Sequence, residues 1–193
     1  GIDLENNYLK IYKDVCKELN LDEQITTKGD SRKIQDTIKK LKTKNKKIPK
    51  QFDLILTDPP YGNMMRKKRT ADIQTSSKGK ENTPFSDSKS DIGNLELNDF
   101  LNELKEIIQN SIELLKNKKY LVVFIKDMQP KPEHDNMLHA DIVRKLAEIK
   151  NLKYKGYKVW FDHTQMLYPL GYPYAFVANQ FHQFILIFRK EDE

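Results

Sequence analysis

Two hydrophobic rhythms alternate along the chain. Short, almost continuous apolar runs, FDLILT at 52–57 and YLVVFIK at 120–126, read as buried strands. Between and around them, apolar residues recur every three or four positions, the spacing of an amphipathic helix. One such face carries Tyr8, Ile11, Tyr12, Val15, Cys16 and Leu19, and a second carries Ile34, Ile38 and Leu41. A third, expected over 97–117, carries Phe100, Leu101, Leu104, Ile107, Ile108, Ile112 and Leu115; a fourth is expected over 137–149. GIDL at 1–4 reads as a strand end, and QITTKGD at 24–30 as a short strand followed by Ser31, placed to cap the next helix. The chain closes with two strands, YKVWFDHTQML (157–167) and FHQFILIFRK (181–190), with no helix between them. An antiparallel hairpin is therefore expected there. The whole order predicts an α/β fold with a mostly parallel sheet covered on both faces. Such sheets bind ligands at the carboxyl ends of their strands, where Asp3, Asp30 and Asp58 fall.

At 58–62 the apolar run meets Asp-Pro-Pro-Tyr-Gly. Proline has no N–H for a sheet ladder and fixes its own φ, so the strand stops there on a stiff backbone. That places Asp58 and Tyr61 at an exposed strand end, a position suited to chemistry. Residues 62–95 are rich in Lys, Ser, Thr, Asp, Gly and Asn, with few apolar anchors. They are expected to form a long, mobile surface loop within a single domain spanning 1–193.

Charge and composition narrow the classes of function. A formal net charge of +6 over 193 residues favours an anionic partner such as nucleic acid. The single cysteine, Cys16, excludes an internal disulfide and a Cys-rich zinc site. His134, His139, His163 and His182 show no metal-ligand spacing, so no metal is expected. No apolar run approaches the ~20 residues of a membrane span, and a soluble cytoplasmic protein is expected. His182 and Gln183 alternate on the last strand and read as structural. Tyr172, Tyr174 and Phe176 fit a base pocket and the closing of the sheet's end equally well.

A hydrophobic strand ending in DPPYG resembles the catalytic motif of S-adenosylmethionine-dependent amino-methyltransferases, which methylate adenine N6 or cytosine N4, mostly in DNA. GIDL is similar to the second strand of their cofactor domain, KGDSRKI to the third-strand motif, and HQFILIF to the last strand. The resemblance implies a Rossmann-like class I methyltransferase fold with S-adenosylmethionine as cofactor and nucleic acid, double-stranded DNA, as partner. It implies cofactor contacts at Asp3, Leu4, Gly29, Asp30, Ser31 and Asp58, and methyl transfer at Asp58, Pro59, Pro60 and Tyr61. Arg66, Lys67, Lys68 and Arg69 follow directly and are candidates for phosphate contact. One departure stands out. The family's glycine-rich FxGxG loop belongs just upstream of GID, and no segment of this chain matches it, so the first strand and glycine loop are expected to be missing.

Within the family, Asp-Pro-Pro-Tyr leans towards adenine N6. Cytosine N4 in DNA and guanine N2 in RNA are the alternatives, and a non-catalytic nucleic-acid-binding subunit is the reading of another class. The chemistry is common to the enzymes. An aryl amine's lone pair is delocalised into its ring, and acceptors for its two N–H groups turn that lone pair towards an electrophilic methyl. Tyr61 would stack on the target base after it is flipped out of the duplex.

Overall fold

The computed structural model describes residues 1–62, 86, 88–127, 137–164 and 181–192. Its elements run β1 (Ile2–Asp3), α1 (Asn6–Glu18), β2 (Thr27–Lys28), a 3-10 turn (Ser31–Lys33), α2 (Ile34–Lys44) and β3 (Phe52–Thr57). A second 3-10 turn (Ile92–Asn94), α3 (Leu97–Ile112), β4 (Leu115–Ile125), α4 (Leu138–Leu146), β5 (Leu152–Phe161) and β6 (His182–Lys190) follow.

β4 is the centre of the core because its alternate residues Leu121, Val123 and Ile125 are fully buried. Against them pack Phe100, Leu104, Ile108 and Ile112 of α3, Leu138, Ile142 and Leu146 of α4, and Leu186 and Phe188 of β6. The third helical period of the sequence therefore does face inward as its spacing predicts. The helix ends earlier than that spacing suggests, at Ile112 and not at 117. Leu115 continues the apolar period but already belongs to β4, opposite Phe52. The buried ammonium of Lys190 explains the stop, since it donates to the Ile112 carbonyl at 3.0 Å and the Leu115 carbonyl at 3.1 Å. A cation on the last carbonyls of a helix satisfies acceptors that the helix itself leaves open.

Four strands form one sheet in the order β3-β4-β6-β5. β3 and β4 are parallel, with Thr57 opposite Val123. β6 runs antiparallel to both β4 and β5, so the C-terminal hairpin is antiparallel as the sequence predicts, with β6 inside the sheet and β5 at its edge. β5 starts at Leu152 and ends at Phe161, offset from the expected 157–167. Its first half alternates lysine with Leu152 and Tyr154, a half-buried strand pattern with a short apolar repeat. The expected strand at 24–30 contracts to Thr27–Lys28, because pairing with β1 extends over only two residues.

The expected single sheet is two. β1 and β2 pair in parallel with each other and are not bonded to the larger sheet. The small unit is tied to the rest through helices: the Gln35 amide donates to the Asn110 carbonyl at 3.2 Å. Among the described residues no strand pairs with the outer edge of β3, and Leu54 and Leu56 are 51% and 60% exposed. α1 shows the same character, burying Cys16 while Ile11, Val15 and Leu19 of its apolar face stay exposed. No helix among the described residues is long and apolar enough to cross a membrane.

The expected mobile loop at 62–95 is packed at its far end. Asp91, Ile92 and Gly93 are buried. Ile92 inserts into the core, and the Asp91 carboxylate accepts from the Gly93 N–H at 2.8 Å. Residues 63–85 and 87 lie outside the described residues.

Candidate functional site

The catalytic candidate begins where β3 ends. Pro59 is buried and Pro60 half-buried, so the prolines seat the turn in the protein while Asp58 opens to solvent. Two glycines make room for that seating. Gly62 has φ 61°, a left-handed conformation that other residues adopt at a cost, and a Cβ there would lie 3.0 Å from the Leu95 carbonyl oxygen. Gly93 supports the turn from below: a Cβ there would lie 2.8 Å from Pro60 Cβ.

Asp58 and Tyr61 line a pocket of about 540 Å³ at the carboxyl ends of β1 and β3. The same pocket is lined by Asp3, Leu4, Gly29, Asp30, Ser31, Pro59 and Pro60. Every residue assigned from the sequence to the cofactor or to methyl transfer thus borders one cavity. The volume is that of an ordinary small-molecule site. Leu104, Ile107 and Ile108 of α3, with Ile92, give it apolar lining.

The electrostatics of the pocket differ from end to end. Surrounding protein strips water from Asp58 and raises its carboxyl above the usual value, although the side chain opens to the pocket. Tyr61 is pushed up to about 12, first by burial and then by the neighbouring Asp58 charge. Hydrogen bonds from the Lys126 backbone and the Gln183 side chain pull the phenol the other way. Tyr61 therefore stays protonated at physiological pH, with its ring packed beside the core.

At the other end, Asp3 Oδ1 accepts from the Glu5 N–H at 2.7 Å, which starts α1. The Gly29 N–H donates to the Asp3 carbonyl at 2.9 Å and joins the two acidic strand ends. Asp30, and not Ser31, caps the turn that follows, accepting from the Arg32 N–H at 3.0 Å. Burial raises the Asp30 carboxyl, but the Arg32 hydrogen bonds and charge outweigh it, leaving a net depression.

Sequence reasoning missed three participants. Gln183 holds the Tyr61 phenol, although it reads as an ordinary strand residue. Arg32 engages Asp30 through its side chain at 3.1 and 3.2 Å, and only the closeness of the two in sequence hints at it. Asp127, at the end of β4, accepts from the His139 N–H at 2.8 Å and pairs with Nδ1 at 2.6 Å. His139 also stacks on Phe184 at 4.1 Å, so this pair fixes the start of α4 beside the strand ends. Arg66, Lys67, Lys68 and Arg69 lie outside the described residues, as do Tyr172, Tyr174 and Phe176.

No curated protein sequence matches the chain. Among solved structures, TTHA0409 of Thermus thermophilus, assigned as a DNA modification methylase and solved in complex with S-adenosyl-L-methionine, is 20% identical with a TM-score of 0.51. That match covers 86% of this chain and 54% of the other, so this chain spans about half the length of that protein. TrmN from Thermus thermophilus matches at 10% identity and a TM-score of 0.51, over 98% of this chain and 35% of its own. These likenesses show the fold, a Rossmann-like methyltransferase α/β fold. A family profile described as DNA methylase matches residues 52–193, from the start of β3 through the Asp-Pro-Pro-Tyr turn to the C-terminal hairpin, and the chain belongs to that family.

Proposed function

We propose that this chain carries the catalytic centre of an S-adenosylmethionine-dependent methyltransferase acting on an exocyclic amino group of a flipped base in DNA, adenine N6. The observation that carries the proposal is the sharing of one pocket by Asp58 and Tyr61 with Asp3 and Asp30. A carboxylate at an opened strand end beside a half-buried aromatic suits an aromatic amine. Two further carboxylates and an apolar wall suit a nucleoside.

The residues present fit S-adenosylmethionine. Asp3 offers acceptor oxygen to ribose hydroxyls, Asp30 and Ser31 border the adenine end, and the isoleucines of α3 and Ile92 offer apolar surface to the purine. When bound, the cofactor supplies an electrophilic methyl on a sulfonium.

The chain's own groups prepare the amine. Ionised Asp58 accepts one amine N–H, and the Pro59 carbonyl is the candidate acceptor for the other. With both protons held, the nitrogen becomes tetrahedral and its lone pair turns out of the ring. Positioning of this kind supplies a large part of such rate accelerations. Tyr61 offers a stacking face, worth ~1–3 kcal/mol per base. Arg66, Lys67, Lys68 and Arg69, next in the sequence, would grip flanking phosphates.

The test is methyl transfer by the full-length protein from labelled S-adenosylmethionine, with nucleoside analysis of the product. N6-methyladenine in DNA is expected, and Asp58→Ala should abolish it while the fold survives. Retention of a tenth of the wild-type rate by Asp58→Ala would show that Asp58 does not orient the amine. N4-methylcytosine, or N2-methylguanine from RNA, would correct the target.

A further inference from the structure

Arg32 joins three parts of the molecule. Its Nε donates to Asp30 Oδ1 at 3.1 Å and Oδ2 at 3.2 Å. Its Nη2 donates to the Ser90 carbonyl at 2.6 Å and lies 3.1 Å from Asp30 Oδ2. Its Nη1 lies 3.5 Å from Glu103 Oε2, a buried oxygen on α3 with no hydrogen bond of its own. One planar guanidinium thus spans the turn after β2, the segment before the second 3-10 turn, and α3.

That segment, Ser86 and residues 88–94, reaches the catalytic turn. The Asn94 side-chain amide donates to the Ser86 and Ser88 carbonyls at 3.0 and 3.1 Å, closing the segment on itself. The Ser86 hydroxyl donates to Glu5 Oε1 at 2.8 Å, anchoring it beside α1. Asp91 fixes Gly93, and Gly93 lies directly under Pro60 with no room for a methyl group. The segment is a brace with one end at the Asp30 rim and the other under Pro60, the second of the two prolines between Asp58 and Tyr61.

We propose that Arg32 is a positioning residue for methyl transfer: it holds Asp30 at the pocket rim and, through Ser90, the brace on which Pro60 sits. The proposal rests on reading this pocket as the methyl-transfer site. Lysine cannot reproduce the role. It keeps one positive charge but lacks the fork that serves Asp30, Ser90 and Glu103 together. A catalytic turn seated loosely by a fraction of an ångström loses rate steeply, since a misplacement near 1 Å costs on the order of 100-fold.

The experiment uses the full-length protein and three variants, Arg32→Lys, Gly93→Ala and the double. It reads S-adenosylmethionine affinity by calorimetry, single-turnover methyl transfer at saturating cofactor and DNA, and amide exchange over 58–62 and 88–94. Arg32→Lys should slow transfer at least ~10-fold, beyond any change in cofactor affinity, and speed exchange in both segments. Gly93→Ala should slow transfer similarly with affinity within about threefold, because its methyl meets Pro60 and the Asp91 carboxylate, inside the brace, and not Asp30 at the rim. The double variant should be little slower than the slower single, as expected for residues acting through one element. A transfer rate within twofold of wild type in Arg32→Lys would overturn the proposal, as would a double variant slowed by the product of the single effects. If the wild type methylates no nucleic acid, the functional reading fails; exchange at 58–62 that responds to Arg32→Lys still supports the coupling, and unchanged exchange refutes it.

Discussion

Removing one oxygen, by Tyr61→Phe, separates the structural from the catalytic share of the motif. The phenol engages the Lys126 backbone and the Gln183 side chain. Each hydrogen bond contributes ~0.5–1.5 kcal/mol net, and a buried partner left unsatisfied costs ~1–3 kcal/mol. Both routes give a destabilisation of about 1–3 kcal/mol. At ~2–4 °C per kcal/mol for a chain of this length, a loss of ~2 kcal/mol lowers Tm by about 4–8 °C. Urea unfolding should show a lower midpoint with an unchanged slope, the mark of reduced stability without altered compactness. Catalysis should change little. The ring face survives, and a phenol pushed up to about 12 is not a base at working pH. Single-turnover transfer should stay within a few-fold of wild type, with the same pH profile. A second variant, Gln183→Leu, should couple to Tyr61→Phe by ~0.5–1.5 kcal/mol in a stability cycle. Unchanged stability together with a hundredfold drop in rate would refute the reasoning and put the hydroxyl on the substrate.

Other outcomes follow from the same geometry. Because burial raises the Asp58 carboxyl, methyl transfer should lose rate in acid at a pH above that of an ordinary aspartate, which a pH–rate profile will show. A raised folded value means the fold prefers the protonated form, so stability falls as pH rises from the unfolded value through the folded one; Asp58→Asn should therefore melt higher than wild type at pH 7 while being inactive. Neutralising Arg66, Lys67, Lys68 and Arg69 should weaken DNA binding on any sequence. It should flatten the log–log salt slope by about 0.9 for each phosphate the run neutralises, and an unchanged slope would mean that these residues touch no phosphate.

The parts of the fold visible in the sequence are those set by local periodicity. The apolar face of α3, the presence of α4 and the central strands could be read directly, because each pattern recurs within a few residues. Strand-breaking prolines did the same for Asp58 and Tyr61. The parts not visible depend on partners far along the chain. Arg32 meets Ser90 and Glu103, and Tyr61 meets Gln183, through folding alone. Leu115 is misleading for a related reason. It sits on the helical period of α3, but a lysine from the last strand closes the helix before reaching it. Periodicity also names a face without saying whether anything covers it, as Ile11, Val15 and Leu19 of α1 illustrate.

The open edge of β3 has a consequence for how the molecule behaves in a tube. Among the described residues no strand covers this edge, and a row of backbone left unpaired there, flanked by the exposed side chains of Leu54 and Leu56, is a template for a strand from any neighbouring chain. The FDLILT segment is the kind of short, β-prone, weakly charged window from which ordered aggregates grow. Asp53 is the one charged residue in it, and Lys116 and Lys119 already occupy that carboxylate at 2.8 and 3.1 Å, so its repulsion of other chains is muted. Wherever that edge is uncovered, turbidity on warming should rise with protein concentration before cooperative unfolding begins, and a lysine at Leu56 should suppress it by placing a bare charge in the path of an incoming strand.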